Sequence, residues 1–276
     1  MLTEDQTTRL RAALVAACGD GGALTLADEA VIAASLGVSR RAVQSAALAE
    51  AIVPECYSRN IGTLGLDGQR KLLAARVLVV GLGGLGGHVV ETLGRLGVGE
   101  IVAADGDVFV ESNLNRQLLA DTETIGRRMI DAAAGRVARI NPAVEFTGHA
   151  RRFEELGPEV FARCGVAFDC LDSIPARRVL AERCSRAGVP LVHGAIAGWA
   201  GQVGVCLPGE GMMDRIYAGP KRGQETRLGN LPFTAAVAAN LMVARAVGLL
   251  LGRSDGAERQ LVFFDLQSGD WEPIDL

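Results

Sequence analysis

The sequence predicts an α/β fold: a doubly wound, mostly parallel sheet preceded by an N-terminal helical extension. Three observations carry that prediction. From residue 76 onward extended apolar runs alternate with amphipathic stretches, a glycine-rich turn joins the first run to a helical pattern, and residues 1–55 are Ala-rich and helical in pattern throughout. Such alternation gives parallel strands joined by crossover helices, and ligands of such sheets sit at the C-terminal strand ends.

Within the extension, "VIAASLGVSRRAVQSAALA" has the outline of a helix-turn-helix, with Ala33 small, Gly37 at the turn and Val43 packing inward. Residues 1–55 hold four Arg, no Lys and seven acids, a poor balance for neutralising phosphates. Nucleic acid is therefore not its expected partner; it reads as a helical extension that packs on the rest of the chain or on another protein. The strands that follow are read from "VLVVG", "EIVAAD", "VEFTGHA", "VAFDCLD" and "PLVHGAIAG", separated by stretches such as "SIPARRVLAERCSRAG". After "QVGVCLP", residues 209–230 are rich in Gly and charge without periodicity and predict a flexible crossover loop. The apolar run at 235–252 contains Asn240 and Arg245, costly in lipid, and predicts a buried helix beside the core. The tail "LVFFDLQSGDWEPIDL" predicts two edge strands around a turn at Ser268 and Gly269.

The 276 residues are enough for a substantial core, and 28 basic against 32 acidic residues leave no global field that draws the chain to nucleic acid or a membrane surface. Cys18, Cys56, Cys164, Cys170, Cys184 and Cys206 are scattered without a CxxC pair, a pattern that predicts no zinc site. They read as reduced thiols of a cytoplasmic protein.

The chemistry concentrates in "VLVVGLGGLGGHVVETLGRLGVGEIVAAD", residues 77–105. Gly81 permits a tight turn, Gly83 lets the backbone approach phosphate, and Gly86 lets the helix lie close to the strand, a Rossmann-like nucleotide cradle. Asp105, ending the next strand, is placed to accept ribose hydroxyls. Glycines and acid together leave open a dinucleotide or ATP. The following "DGDVFVESNLNRQ" supplies Asn113, Arg116 and Gln117, the cation and amide donors that attack at the α-phosphate of ATP requires. Asp172, after "VAFDCL", is placed to hold Mg²⁺ against the phosphates, with Asp169 as an alternative. Hydride transfer lacks a proton donor, since His88, His149 and His193 show no partner in the sequence.

"YSRN" at 57–60, "VLVVGLGGLG", "DGDVFVESNLNRQ", "RINP", "CLDS" and "HGAIAGWAGQVGV", in this order and spacing, resemble the ThiF/MoeB/HesA family of the ubiquitin-activating (E1-like) superfamily. The resemblance runs from about residue 55 to the C-terminus, making 56–276 the adenylation domain. It implies a homodimeric adenylyltransferase that uses ATP and Mg²⁺ to activate the C-terminal glycine of a small ubiquitin-like sulfur-carrier protein ending in Gly-Gly. Carried over by position, Gly83 and Gly84 line the phosphates, Asp105 binds ribose, Asn113 and Arg116 hold the triphosphate, Asp172 serves magnesium, and Arg59 reaches across the dimer as an arginine finger.

Three departures from the family pattern stand out. Where the family carries a GxxK whose lysine contacts the phosphates, this chain has "GRRM", Gly126 to Met129. Loss of one charge-assisted contact costs on the order of 1.5 to 3 kcal/mol. Arg128 or Arg127 from the adjacent turn could substitute, residue 129 could have been altered from lysine, or the chain could bind nucleotide and carrier without adenylating. The paired CxxC motifs of many relatives are missing, as is a cysteine within 209–230; Cys184 and Cys206 read as buried thiols. The expected product is thus the acyl-adenylate itself, or its transfer to a separate thiol or amine.

Overall fold

The structure is a computed structural model and describes residues 3–19, 22–218, 225–253 and 260–275. The extension is three helices, α1 (Glu4–Cys18), α2 (Leu26–Leu36) and α3 (Arg40–Ala49). Each starts where its sequence offers a cap: Thr3, Thr25 and Ser39 accept the backbone N–H of Gln6, Asp28 and Ala42. Gly37 ends α2 in the left-handed conformation, φ 61°, and Ala33 and Val43 close a small core with Leu10, Leu14, Leu24 and Ile32. The arginines of α3 are committed to the protein: Arg41 donates to the Leu73 carbonyl and pairs with Glu145 at 3.1 Å, and Arg40 lies 3.5 Å from Glu29.

The chain then runs through α4 (Ile61–Ala74), β1 (Arg76–Val80), α5 (Gly84–Leu96), β2 (Glu100–Ala104), α6 (Met129–Ile140), β3 (Glu145–His149), α7 (Pro158–Ala162), β4 (Val166–Asp169), α8 (Ile174–Arg186), β5 (Leu191–Ala197) and β6 (Ala200–Cys206). The crossover segment holds α9 (Met212–Ile216) and α10 (Glu225–Leu228); α11 (Pro232–Leu251), β7 (Gln260–Asp265) and β8 (Asp270–Asp275) follow. One sheet has the order β3-β2-β1-β4-β5-β6-β7-β8, parallel from β3 to β5 and antiparallel beyond. Connections leave β1 toward β2 and β3, then return to β4 on its other side. The switch point therefore lies between β1 and β4, where a crevice opens at the strand ends.

Both faces are covered, which is why the central strands read as unbroken Val, Ile, Leu and Ala. Val77, Val79, Ile101 and Phe168 face α5, α6 and α11; Leu78, Val80, Val102 and Ala167 face α7, α8 and α9. Helix α11 buries Ala235, Ala238, Ala239, Met242 and Val243 against α5 and β5, the core role its composition predicts. Two expectations change. Strand β7 is not an edge, because it pairs with β6 as well as β8; of the two, β8 is the edge strand, across the expected turn where Gly269 has φ 80°. The 209–230 segment is not structureless where described: Met212 and Met213 enter the core and anchor α9, although residues 219–224 lie outside the described residues. Two adjacent apolar side chains sufficed to fold a stretch that lacks periodicity.

Candidate functional site at the switch point

A cavity of about 480 Å³ opens between the C-terminal ends of β1, β2 and β4, lined by Gly81, Gly83, Gly84, Asp105, Arg116, Gln117, Met129 and Asp172 among others. The glycine loop owes its shape to two positions. Gly81 has φ 89°, and a Cβ there would lie 2.7 Å from the Cys170 carbonyl oxygen; a Cβ on Gly86 would lie 1.8 Å from the Gly81 oxygen. Gly86 thus seats α5 on β1 and sits behind the cavity wall. Gly83, the N-cap of α5, makes no side-chain cap, so the first amides of the helix are left for a ligand.

Asp105 follows β2 and is held from both sides, accepting the Leu82 N–H at 2.6 Å and the Asp107 N–H at 2.7 Å. Burial and the nearby carboxylates of Asp107 and Asp172 push its pKa up against those two hydrogen bonds. Each oxygen keeps a lone pair for a further donor. Opposite, residues 111–117 fold into a turn in which the Asn113 Oδ1 accepts the Val110 N–H at 2.9 Å. Asn113 is not among the residues that line the cavity; its Oδ1 shapes the turn that presents Arg116 and Gln117. Arg116 is braced by the Ser112 carbonyl and Asn115 Oδ1, both at 2.9 Å. The Gln117 Oε1 is buried without a hydrogen-bond partner among the described residues, an acceptor open to a ligand donor.

Asp172 is exposed on the loop after β4, lines the cavity, and makes no hydrogen bond or ion pair among the described residues. Ser173, not Asp172, is the N-cap of α8. Asp169 is unsuited to be the alternative metal ligand. It is fully buried, with Oδ1 accepting the Leu171 N–H at 3.1 Å and Oδ2 facing Arg177 at 3.1 Å and His193 at 2.8 Å.

The sequence reading missed that buried cluster. Asp169 and His193 are register partners in the parallel β4–β5 ladder, so their side chains share a face beneath Arg177 of α8. Nδ1 of His193 meets Asp169, while Nε2 lies 3.2 Å from both Gln202 and the Tyr217 hydroxyl, so His193 has the partners that its sequence did not reveal. The cluster ties β4, β5, β6 and α9 together at the cavity floor, where Arg177, Gln202 and Tyr217 are exposed to it. Burial holds the His193 pKa below its ordinary 6.5, opposed by Asp169. A depressed pKa contributes stability that is complete above the unfolded value and lost as pH falls through the folded one. Urea unfolding at about pH 7.5 and about pH 5 should show this loss in the native chain and less of it in His193→Gln; equal pH dependence in both would exclude His193 as the cause.

Met129 begins α6 at 5 % exposure, its side chain in the main core and at the cavity wall, its N–H donated to the Asp107 carbonyl at 3.0 Å. Arg127 and Arg128 are exposed and are not among the residues that line the cavity. The reason is local: Arg128 is the N-cap of α6, and its extended backbone precedes the turn that Met129 turns inward. Arg59 is exposed beside α4, away from its own chain's cavity. Cys184 and Cys206 are buried, and burial pushes both thiols up to about 12, which leaves them poor nucleophiles.

Residues 57–276 match the profile of the ThiF family. The chain belongs to the ThiF family. Over 228 residues it is 33% identical to the SAMP-activating enzyme E1 of Haloferax volcanii, covering 79% of this chain and 83% of that protein. It is also 33% identical over 228 residues to the sulfur carrier protein ThiS adenylyltransferase of Escherichia coli, covering 80% of this chain and 90% of that protein. The crystal structure of E. coli MccB with succinimide shares the fold, with a TM-score of 0.67 at 17% identity, covering 98% of this chain and 86% of that one. As a ThiF family member the chain is an E1-like enzyme of the adenylyltransferase kind, and the E. coli relative is by name an adenylyltransferase of a sulfur carrier protein.

Proposed function

We propose that the chain adenylates the C-terminal glycine of a small ubiquitin-like sulfur carrier ending in Gly-Gly, working in the cytoplasm as a homodimer with ATP and Mg²⁺. The observation that carries the reading is the meeting of the glycine loop, Asp105, Arg116, Gln117 and Asp172 around one cavity at the switch point. The donor set suits the nucleotide: open helix amides and Arg116 for phosphate, Asp105 for ribose, and a partnerless Gln117 oxygen for a ligand donor. Asp172, free and at the cavity wall, is the carboxylate that would hold magnesium, which would neutralise charge on the phosphates.

In this reading the α5 amides and Arg116 orient the α-phosphate toward the incoming carboxylate and stabilise the charge that builds there. Asp105 fixes the nucleoside end, and the cavity keeps water from the activated glycine. Arg59, extended from the surface, serves the cavity of a second copy. The E. coli relative named as a sulfur carrier protein adenylyltransferase supports the substrate class.

A second reading, a nucleotide- and carrier-binding protein without turnover, is favoured by one observation: the side chain at 129 is a buried methionine. Carrier-dependent exchange of pyrophosphate into ATP separates the two. The native chain is expected to exchange, and Met129→Lys to speed exchange about tenfold or more by restoring a charged phosphate contact. No exchange by either protein would sink the enzymatic reading.

A further inference from the structure

A buried polar chain crosses the seam between the helical extension and the sheet domain. Glu29 of α2 accepts the Gln44 Nε2 at 2.7 Å, Gln44 Oε1 accepts the Tyr57 hydroxyl at 2.8 Å, and the Tyr57 oxygen accepts Asn141 Nδ2 at 2.7 Å. Asn141 also donates to the Gly94 carbonyl at 3.1 Å, on α5, the helix whose other end carries the glycine loop. Glu29, Gln44, Tyr57 and Asn141 are all buried, and Tyr57 fills the space where a Cβ on Gly97 would stand. Taking a carboxylate and two amides out of water is costly, whereas an apolar seam would hold helices together without that penalty. A fully satisfied network of this kind instead fixes one arrangement.

What it fixes is the turn that begins at Tyr57. Ser58 N–H donates to the Glu55 carbonyl at 3.1 Å and Asn60 N–H to the Tyr57 carbonyl at 2.8 Å. The Asn60 side chain donates to Gln69, which donates onward to the Leu96 carbonyl at 2.9 Å. Arg59 is thus pinned through both neighbours while its own side chain stays exposed. The family match begins at residue 57, so Glu29 and Gln44 lie outside it.

We propose that the N-terminal extension is a positioning element for Arg59: Glu29 and Gln44 hold Tyr57, and thereby set the direction in which Arg59 leaves the surface toward the nucleotide cavity of a second copy of this chain. The inference rests on the adenylation reading and adds to it a use for residues 1–55. Gln44 is a positioning residue here, and Arg59 is the group that touches the nucleotide.

The test uses the full chain with Gln44→Met, which keeps volume and removes both hydrogen bonds, and Glu29→Gln, which keeps an acceptor for Gln44. Gln44→Met is expected to speed backbone amide exchange at Ser58 and Asn60 about tenfold, with β1 and β4 unchanged. In carrier-dependent pyrophosphate exchange it should lower kcat between about tenfold and a hundredfold at unchanged KM for ATP, the signature of a misplaced group. It should add little to Arg59→Ala, and Glu29→Gln should stay near native. Unchanged amide exchange at Ser58 and Asn60 overturns the inference, as do Gln44→Met and Arg59→Ala effects that multiply. If Arg59→Ala keeps full kcat while the native chain exchanges pyrophosphate, this inference fails and adenylation stands. No exchange by either the native chain or Met129→Lys overturns both.

Discussion

Asp169→Ala is expected to lower the unfolding free energy by about 3 to 5 kcal/mol, the usual cost of stranding a buried charge whose partner is removed. Its carboxylate faces the Arg177 guanidinium at 3.1 Å and His193 at 2.8 Å, and Asp169 and His193 are fully inaccessible. Burial alone pushes the Asp169 pKa up, yet Arg177, His193 and the Leu171 amide together hold it below the ordinary carboxylate value. Removing it leaves the buried Arg177 guanidinium without its carboxylate, its Nη1 facing the Gly194 carbonyl and a neutral imidazole among the described residues. It also frees the His193 ring whose other nitrogen meets Tyr217, so the docking of α9 should loosen with the same substitution. Urea denaturation reads the first effect and limited proteolysis near Tyr217 the second. Apolar isosteres at both positions, Asp169→Leu with Arg177→Met, should recover much of the loss, because no lone charge remains. A loss under about 1 kcal/mol in Asp169→Ala would mean that the cluster is not the clamp its geometry describes.

This cluster also marks where the sequence stops being legible. The strands could be read because each central one is buried on both faces, and the glycine loop because Gly81 and Gly86 answer steric demands of the backbone itself. Helix caps at Thr3, Thr25 and Ser39 are local for the same reason. The pairing of Asp169 with His193 depends on strand register across a 24-residue separation, which no local pattern encodes. The turn-shaping bond from Val110 to Asn113 is not legible either, because a turn-forming Asn and a phosphate-binding one present the same amide in sequence. The failure of Arg128 to reach the cavity is likewise a matter of where α6 begins, a boundary fixed by Met129 entering the core. α9 escaped detection because its stability comes from two methionines docking into a distant layer, not from propensity or period.

Three residues beyond Asp169, the opposite behaviour is expected. Asp172→Asn should cut carrier-dependent pyrophosphate exchange by about a hundredfold or more, since a metal-held phosphate is worth several kcal/mol of charge stabilisation. It should leave unfolding nearly untouched, because the Asp172 side chain is exposed and makes no hydrogen bond or ion pair among the described residues. The amide keeps the shape and one oxygen, so the change isolates charge. Nucleotide binding without Mg²⁺ should even tighten slightly, as one of the carboxylates crowding Asp105 is neutralised; the defect should therefore appear only when Mg²⁺ is supplied. Calorimetry with ATP alone and with Mg-ATP, alongside the exchange assay, reads the two effects separately. Asp169→Asn is the matched control: it neutralises a carboxylate on the same segment, yet should act through stability and spare the metal dependence. If Asp172→Asn retains full exchange, Asp172 is not the carboxylate that serves magnesium, which must then be sought among Asp105 and Asp107, which line the same cavity.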